Sequence, residues 1–239
     1  KVNNIMKQLK KTLLTLALLI TAATGAWADQ LASSYSSNAT LNAVTVSASM
    51  EVTIATGVTV TINNGLNITS GTLTVKGPGT LVVNGKAGSN GGGGNIYAAG
   101  NVTIKGGTIS GGKATRTQSS AHAYGGNIYM DSDSNKLTIS DGMISGGEAV
   151  TGGNIFARGE FNMSGGTIAN GVATEAIAGN IRLEGAASKC NITGGTISGG
   201  VAVQQGGNIV VRNSANEVII SGATISGGVS QSSHGGNIY

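Results

Sequence analysis

Residues 125–129 read Gly-Gly-Asn-Ile-Tyr, and the unit returns at 152–156 as Gly-Gly-Asn-Ile-Phe. A Gly-Asn-Ile core recurs six times, with its asparagines at Asn95, Asn127, Asn154, Asn180, Asn208 and Asn237. The separations are 32, 27, 26, 28 and 29 residues. A self-similar period of this size marks a stacked architecture, in which each unit buries its apolar face only against its neighbours.

The remainder of each repeat supplies strands. After each of the first five units come two alternating apolar residues: Val102/Ile104, Leu137/Ile139, Phe161/Met163, Cys190/Ile192 and Val218/Ile220. Five residues beyond the second of each pair stands one isoleucine: Ile109, Ile144, Ile168, Ile197 or Ile225. Alternation of period two places the paired residues on one face of a strand. The short corner between pair and isoleucine is glycine-rich, as in Gly106-Gly107 and Gly165-Gly166, and needs the backbone freedom of that residue. Three short strands per coil of about 28 residues predict an all-β chain wound as a parallel β-helix. Its coils would stack about 4.8 Å apart. Upstream the alternation opens at Glu51, with Val52/Ile54, Val58/Val60/Ile62, Leu66/Ile68, Leu73/Val75 and Leu81/Val83. The β-helix is therefore expected over 51–239, with the Ser-, Ala- and Asn-rich residues 29–50 as a lead-in or N-terminal cap.

The first 28 residues have a different character. Lys7, Lys10 and Lys11 precede an apolar run from Leu13 to Ala23, and Ala26-Trp27-Ala28 follows. This is the layout of a secretory signal peptide, with cleavage expected after Ala28 and residues 1–5 upstream of the start at Met6. The run is shorter than the roughly 20 residues of a membrane-spanning helix. Four of the 14 basic residues lie before the cut, which leaves 10 against 10 acidic ones. The mature chain thus carries no charge bias towards nucleic acid or anionic lipid. One cysteine excludes an internal disulfide framework. Aromatic residues make up only 3% of the chain and glycine accounts for 41 positions, a composition that suits a thin solenoid core better than a globule.

These repeats resemble those of right-handed parallel β-helix proteins. More narrowly, they are similar to the Gly-Gly-x-Ile repeats of polymorphic outer-membrane proteins and autotransporter-like adhesins. The resemblance covers roughly residues 51–239. It implies right-handed winding, a surface or extracellular location, and adhesion.

Candidate functional residues follow from departures from the repeat. The six asparagines recur at one phase, so they read as a structural row of stacked amides at a bend. The residue after each isoleucine varies: Tyr97, Tyr129, Phe156, Arg182, Val210, Tyr239. This stripe is expected to face outward and to form a binding face, together with Arg116 and His122 in the long loop from Lys113 to Tyr124. Mutual stacking that stiffens the sheet is the alternative use of such rings. The position opening the second strand reads Asn101, Lys136, Glu160, Lys189, Glu217, an alternation of sign that suits a surface ion-pair row. Thr and Ser flank the lone isoleucines (Thr108/Ser110, Thr167, Thr196/Ser198, Thr224/Ser226) and resemble the hydroxyl rows of ice-binding solenoids.

Other groups are read structurally. Asp131 and Asp133 fit a solvated turn better than a calcium loop, because neighbouring coils offer no further carboxylate. Cys190 shares the phase of core residues, and His122 and His234 stand well apart in coil number. The acids are scattered, with no convergent set for bond cleavage. No catalytic residue, cofactor or metal site is therefore expected. The function expected is an exported structural or adhesion module that presents a repetitive face to a glycan or a cell-surface protein, without nucleic acid or membrane insertion. The alternatives are a polysaccharide-degrading β-helix enzyme or its binding scaffold and, less favoured, an ice-binding solenoid. The chain stops at Tyr239 inside a repeat, so it reads as a piece of a longer protein whose open last coil is available for self-association.

Overall fold

The structure is a computed structural model and describes residues 29–84, 92–116, 123–185, 189–212, 217–232 and 234–239. The signal-peptide expectation over 1–28 and His122 lie outside the described residues. Every named strand pair is parallel, and the strands collect into four sheets. Each strand pairs with its counterpart one coil away, which is the topology of a parallel β-helix.

One sheet of seven strands carries the Asn-Ile units. It runs from Val44–Val46 through Leu66–Ile68, Ile96–Ala98, Ile128–Met130, Ile155–Ala157 and Ile181–Glu184 to Ile209–Arg212. A second sheet of 11 strands carries both the paired-apolar and the lone-isoleucine segments. In two coils these merge into continuous ten-residue strands, Asn101–Ser110 and Lys136–Ser145, that pass straight through the glycine corner. Their pairing slips between Ile104 and Thr108, so the corner is a bulge rather than a break. In later coils the segments separate, as in Glu160–Met163 and Thr167–Ala169. A three-stranded sheet (Ala39–Leu41, Thr59–Asn63, Thr80–Asn84) closes the first coils.

Two features go beyond the sequence reading. Residues 29–50 form a coil of their own: Ser34–Tyr35 pairs with Met50–Ile54, and Ala39–Leu41 pairs with Thr59–Asn63. The later coils also contain a fourth, two-residue strand at Glu148–Ala149, Val172–Ala173, Val201–Ala202 and Val229–Ser230. Two residues are too few for alternation to show.

The core is a set of aliphatic columns along the axis. Leu66, Ile96, Ile128, Ile155, Ile181 and Ile209 stack in register, all fully buried. Leu73, Val102, Leu137, Phe161 and Cys190 form a second column, which puts the thiol among hydrophobes as expected. Each such side chain contributes about 1.5–3 kcal/mol by leaving water. The columns need the walls to approach closely, and paired glycines such as Gly147 and Gly153 permit it. A Cβ on Gly153 would lie 2.3 Å from the carbonyl oxygen of Gly179 and 2.3 Å from the amide nitrogen of Val172. Backbone stands on both sides, so no side chain can move aside.

Candidate functional site

The asparagine row stands at the inner bend where this glycine sits. The Nδ2 of Asn95 donates to Oδ1 of Asn127 at 2.8 Å, and the link repeats from Asn127 to Asn154, Asn154 to Asn180, Asn180 to Asn208 and Asn208 to Asn237 at 2.7–2.8 Å. Each Nδ2 also donates to a main-chain carbonyl of its own coil, for example Asn154 to Ala169 at 2.8 Å. Each receiving Oδ1 accepts a second bond from a glycine amide, for example Gly147 to Asn154 at 2.8 Å. The first five side chains are buried, and their amides are taken up by the scaffold rather than offered to a ligand. The asparagines have ordinary backbone angles, and the left-handed residue is the one two positions earlier, such as Gly152 at φ 63°.

The stripe beside this row is not the exposed face expected from the sequence. Tyr129 is 7% exposed, Phe156 4% and Val210 0%. These side chains do point away from the central core, but the loops returning to the Asn-Ile strands fold over them. Tyr124 from such a loop packs on Phe156 with ring centroids 4.4 Å apart and on Tyr129 at 5.5 Å. Ile177 and Ala178 from the equivalent loop two coils on cover Val210. Within the stripe, Tyr97 meets Tyr129 edge-on at 5.6 Å, Tyr129 meets Phe156 at 5.4 Å, and the Arg182 guanidinium lies 5.1 Å from the Phe156 ring centre. The rings therefore stack on one another. Tyr97 is half-buried and Tyr239 is exposed.

Polar groups cluster where the stripe meets the turns that leave it. Asp131 accepts hydrogen bonds from both Tyr97, at 2.5 Å, and Tyr129. Burial, then the bond to Asp131, pushes the Tyr97 phenol up to about 12, and the same causes raise Tyr129 further. Asp133 pairs with Arg158 Nε at 3.0 Å, a bond that holds the guanidinium above its ordinary pKa. Arg182 pairs with Glu184 and donates to Thr151 Oγ1 at 3.0 Å. Burial and the nearby charge of Arg212 lower its pKa to about 10. Tyr124, Tyr129, Asp133, Phe156, Arg158, Glu184 and Gly185 enclose a cleft of about 320 Å³. The sequence reading left Asp131 and Asp133 as a solvated turn. The structure joins Asp131 to two tyrosines and sets Asp133 on the rim of this cleft.

The other candidates are dispersed. Arg116 pairs with Glu175 at 2.8 Å on an exposed loop. The ion-pair row forms in part: Lys136 meets Glu160 at 3.1 Å and Lys189 meets Glu217 at 3.8 Å. The Asn162 amide, and then Lys136, hold the Glu160 carboxyl below its ordinary pKa. On the 11-stranded sheet Thr74, Thr103, Thr138, Asn162 and Asn191 stand in register. A parallel row reads Thr108, Met143, Thr167, Thr196, Thr224, with Met143 40% exposed. Burial pushes the Cys190 thiol up to about 12. Among the described residues no three metal-ligating side chains gather. Comparison of the chain with protein-family profiles, with curated proteins and with solved structures finds no match.

Proposed function

We propose that this protein is an exported binding module, without catalytic activity, that uses a parallel β-helix to present a long regular face to a surface glycan or protein. The finer likeness to right-handed polymorphic outer-membrane and autotransporter-like repeats belongs to this reading. The observation that carries it is the outward side of the 11-stranded sheet. There, hydroxyl and amide side chains stand in register over five coils, from Thr74 to Asn191, beside a second row from Thr108 to Thr224. Such rows repeat one weak contact at coil spacing, and linked weak contacts multiply into avidity. The acids support the non-catalytic half of the reading. All ten carboxylates are engaged, seven by a cationic side chain, Asp131 by its two tyrosines, and Asp29 and Asp141 by a main-chain amide.

The test is adhesion of the purified chain to cells and to immobilised glycans, alongside assay of sugar release from soluble polysaccharides. Thr103→Lys, Thr138→Lys and Thr167→Lys together should abolish adhesion while circular dichroism stays that of the parent. Released sugar, or undiminished adhesion of the triple variant, refutes the proposal.

A further inference from the structure

A second surface carries an inference independent of the flat face. The cleft beside the aromatic stripe has a floor and walls of different chemistry. Tyr129 and Phe156 line it, both nearly buried, and are termed its floor. Its polar lining is the Asp133–Arg158 pair and Glu184, which is held by Arg182. Tyr124, stacked on Phe156, completes the aromatic lining. The cleft thus offers carboxylate acceptors and a guanidinium donor beside a small remnant of aromatic surface.

Charge decides what suits it. The Asp133–Arg158 and Arg182–Glu184 pairs cancel, and of the charges beside them Asp131 carries a negative one and Arg212 a positive one. An anionic ligand would find no net positive charge to hold it and would meet the carboxylates of Asp133 and Glu184. A cationic one would meet the Arg158 guanidinium, and the Phe156 ring is already faced by Arg182. A neutral ligand rich in hydroxyls meets neither obstacle. Each hydroxyl both donates to a carboxylate and accepts from a guanidinium, so it inserts into the hydrogen bonding of an ion pair without separating charge. The C–H edges of a sugar ring suit what remains exposed of Tyr129 and Phe156. The volume of about 320 Å³ lies at the small end of ligand pockets, which suits one ring rather than a chain.

We propose that this cleft is a subsite for a single neutral sugar residue, such as the terminal residue of a glycan, held between Asp133–Arg158 and Glu184 over the Tyr129–Phe156 floor.

The experiment is saturation-transfer NMR and calorimetry on the purified chain with a defined panel. The panel contains the methyl glycosides of glucose, galactose, mannose and N-acetylglucosamine, with glucuronate and N-acetylneuraminate as anions and glucosamine as a cation. At least one neutral glycoside should bind, more tightly than every charged member. The double substitution Asp133→Asn with Arg158→Gln alters an exposed pair and should leave the circular dichroism spectrum unchanged. It should weaken that binding about tenfold or more, as loss of hydrogen bonds to charged groups does. The flat-face variant, Thr103→Lys with Thr138→Lys and Thr167→Lys, should bind the glycoside as the parent does. Absence of binding by all neutral glycosides, preference for a charged sugar, or full binding by the double variant overturns the proposal. None of these results bears on whether the flat face mediates adhesion.

Discussion

Replacing Asn154 by alanine removes four hydrogen bonds from the centre of the amide row. Two are donated by Nδ2, to Asn180 Oδ1 at 2.7 Å and to the Ala169 carbonyl at 2.8 Å. Two are accepted by Oδ1, from Asn127 Nδ2 at 2.7 Å and from the Gly147 amide at 2.8 Å. The partners do not suffer equally. Asn127 keeps its bond to Ser145, Asn180 Oδ1 keeps the Gly171 amide, and the Ala169 carbonyl keeps the Gly146 amide. The Gly147 N–H and one of the two Asn127 Nδ2 protons lose their partners. Four buried bonds at a net value of about 0.5–1.5 kcal/mol each suggest a loss of about 4 kcal/mol. For a chain of this size class that corresponds to a fall in melting temperature of about 8–16 °C. Asn237 is the control, because its exposed side chain only accepts bonds, from Asn208 and Gly228. Asn237→Ala should therefore cost about 1 kcal/mol. Asn154→Asp sharpens the test. It keeps the acceptor but turns the second oxygen towards Asn180 Oδ1 and the Ala169 carbonyl. At neutral pH it should destabilise at least as much as alanine, and it should recover in acid as the carboxyl regains a donor proton. Thermal and urea unfolding followed by circular dichroism would measure all three. Equal losses for Asn154→Ala and Asn237→Ala, or a harmless aspartate at pH 7, would refute the reasoning.

Cys190 should react with thiol reagents slowly in the native protein and rapidly in denaturant, and fast native labelling would contradict its burial. Its folded pKa is raised to about 12, so its contribution to stability is complete below the unfolded thiol value of about 8.5. That contribution fades as pH rises towards the folded value, and urea midpoints measured across this range should fall less steeply in Cys190→Ala. Gly153→Ala drives a Cβ into fixed backbone on two sides and should cost more than about 3 kcal/mol, beyond ordinary surface changes. Gly146→Asn, at φ 62° with open space around it, should stay within about 1 kcal/mol, since Asn170 already occupies the equivalent corner at φ 55°. Glu160→Gln should lose no more than about 1 kcal/mol, and the difference from the parent should shrink in salt, as for an exposed pair.

The parts that were readable in the sequence are those governed by a strict period. Alternation put Cys190 in phase with Phe161 and Leu137, and the structure pairs them in that register. The constant phase of the asparagines pointed to a stacked row, because a feature present in every coil must satisfy the same geometry in each. The stripe was misjudged for an equally physical reason. Alternation tells which side of a sheet a residue faces, and says nothing of what lies over that side. The cover comes from loops of unequal length, and its only trace in sequence is an apolar residue in an otherwise small or polar stretch, as at Tyr124 and Ile177. Asp131 gave less warning still, since Tyr97 reaches it from 34 residues away across a coil boundary. The two-residue strand at Val172–Ala173 is held by its neighbours in the stack and has no pattern of its own.

The amide row has a direction. From Asn95 to Asn208 every Nδ2 donates towards the following coil, and no link runs the other way. The side-chain dipoles therefore add along the axis instead of cancelling. Each bond polarises the next, by an amount on the order of 10–30% per link. The solenoid is a vector, with acceptor character at the Asn95 end, where a buried Oδ1 lacks a partner among the described residues, and donor character towards the other. A second β-helix brought into line with it would meet a complementary field head to tail and an opposed one head to head, so the row assigns a polarity to end-on contact before any surface side chain is considered.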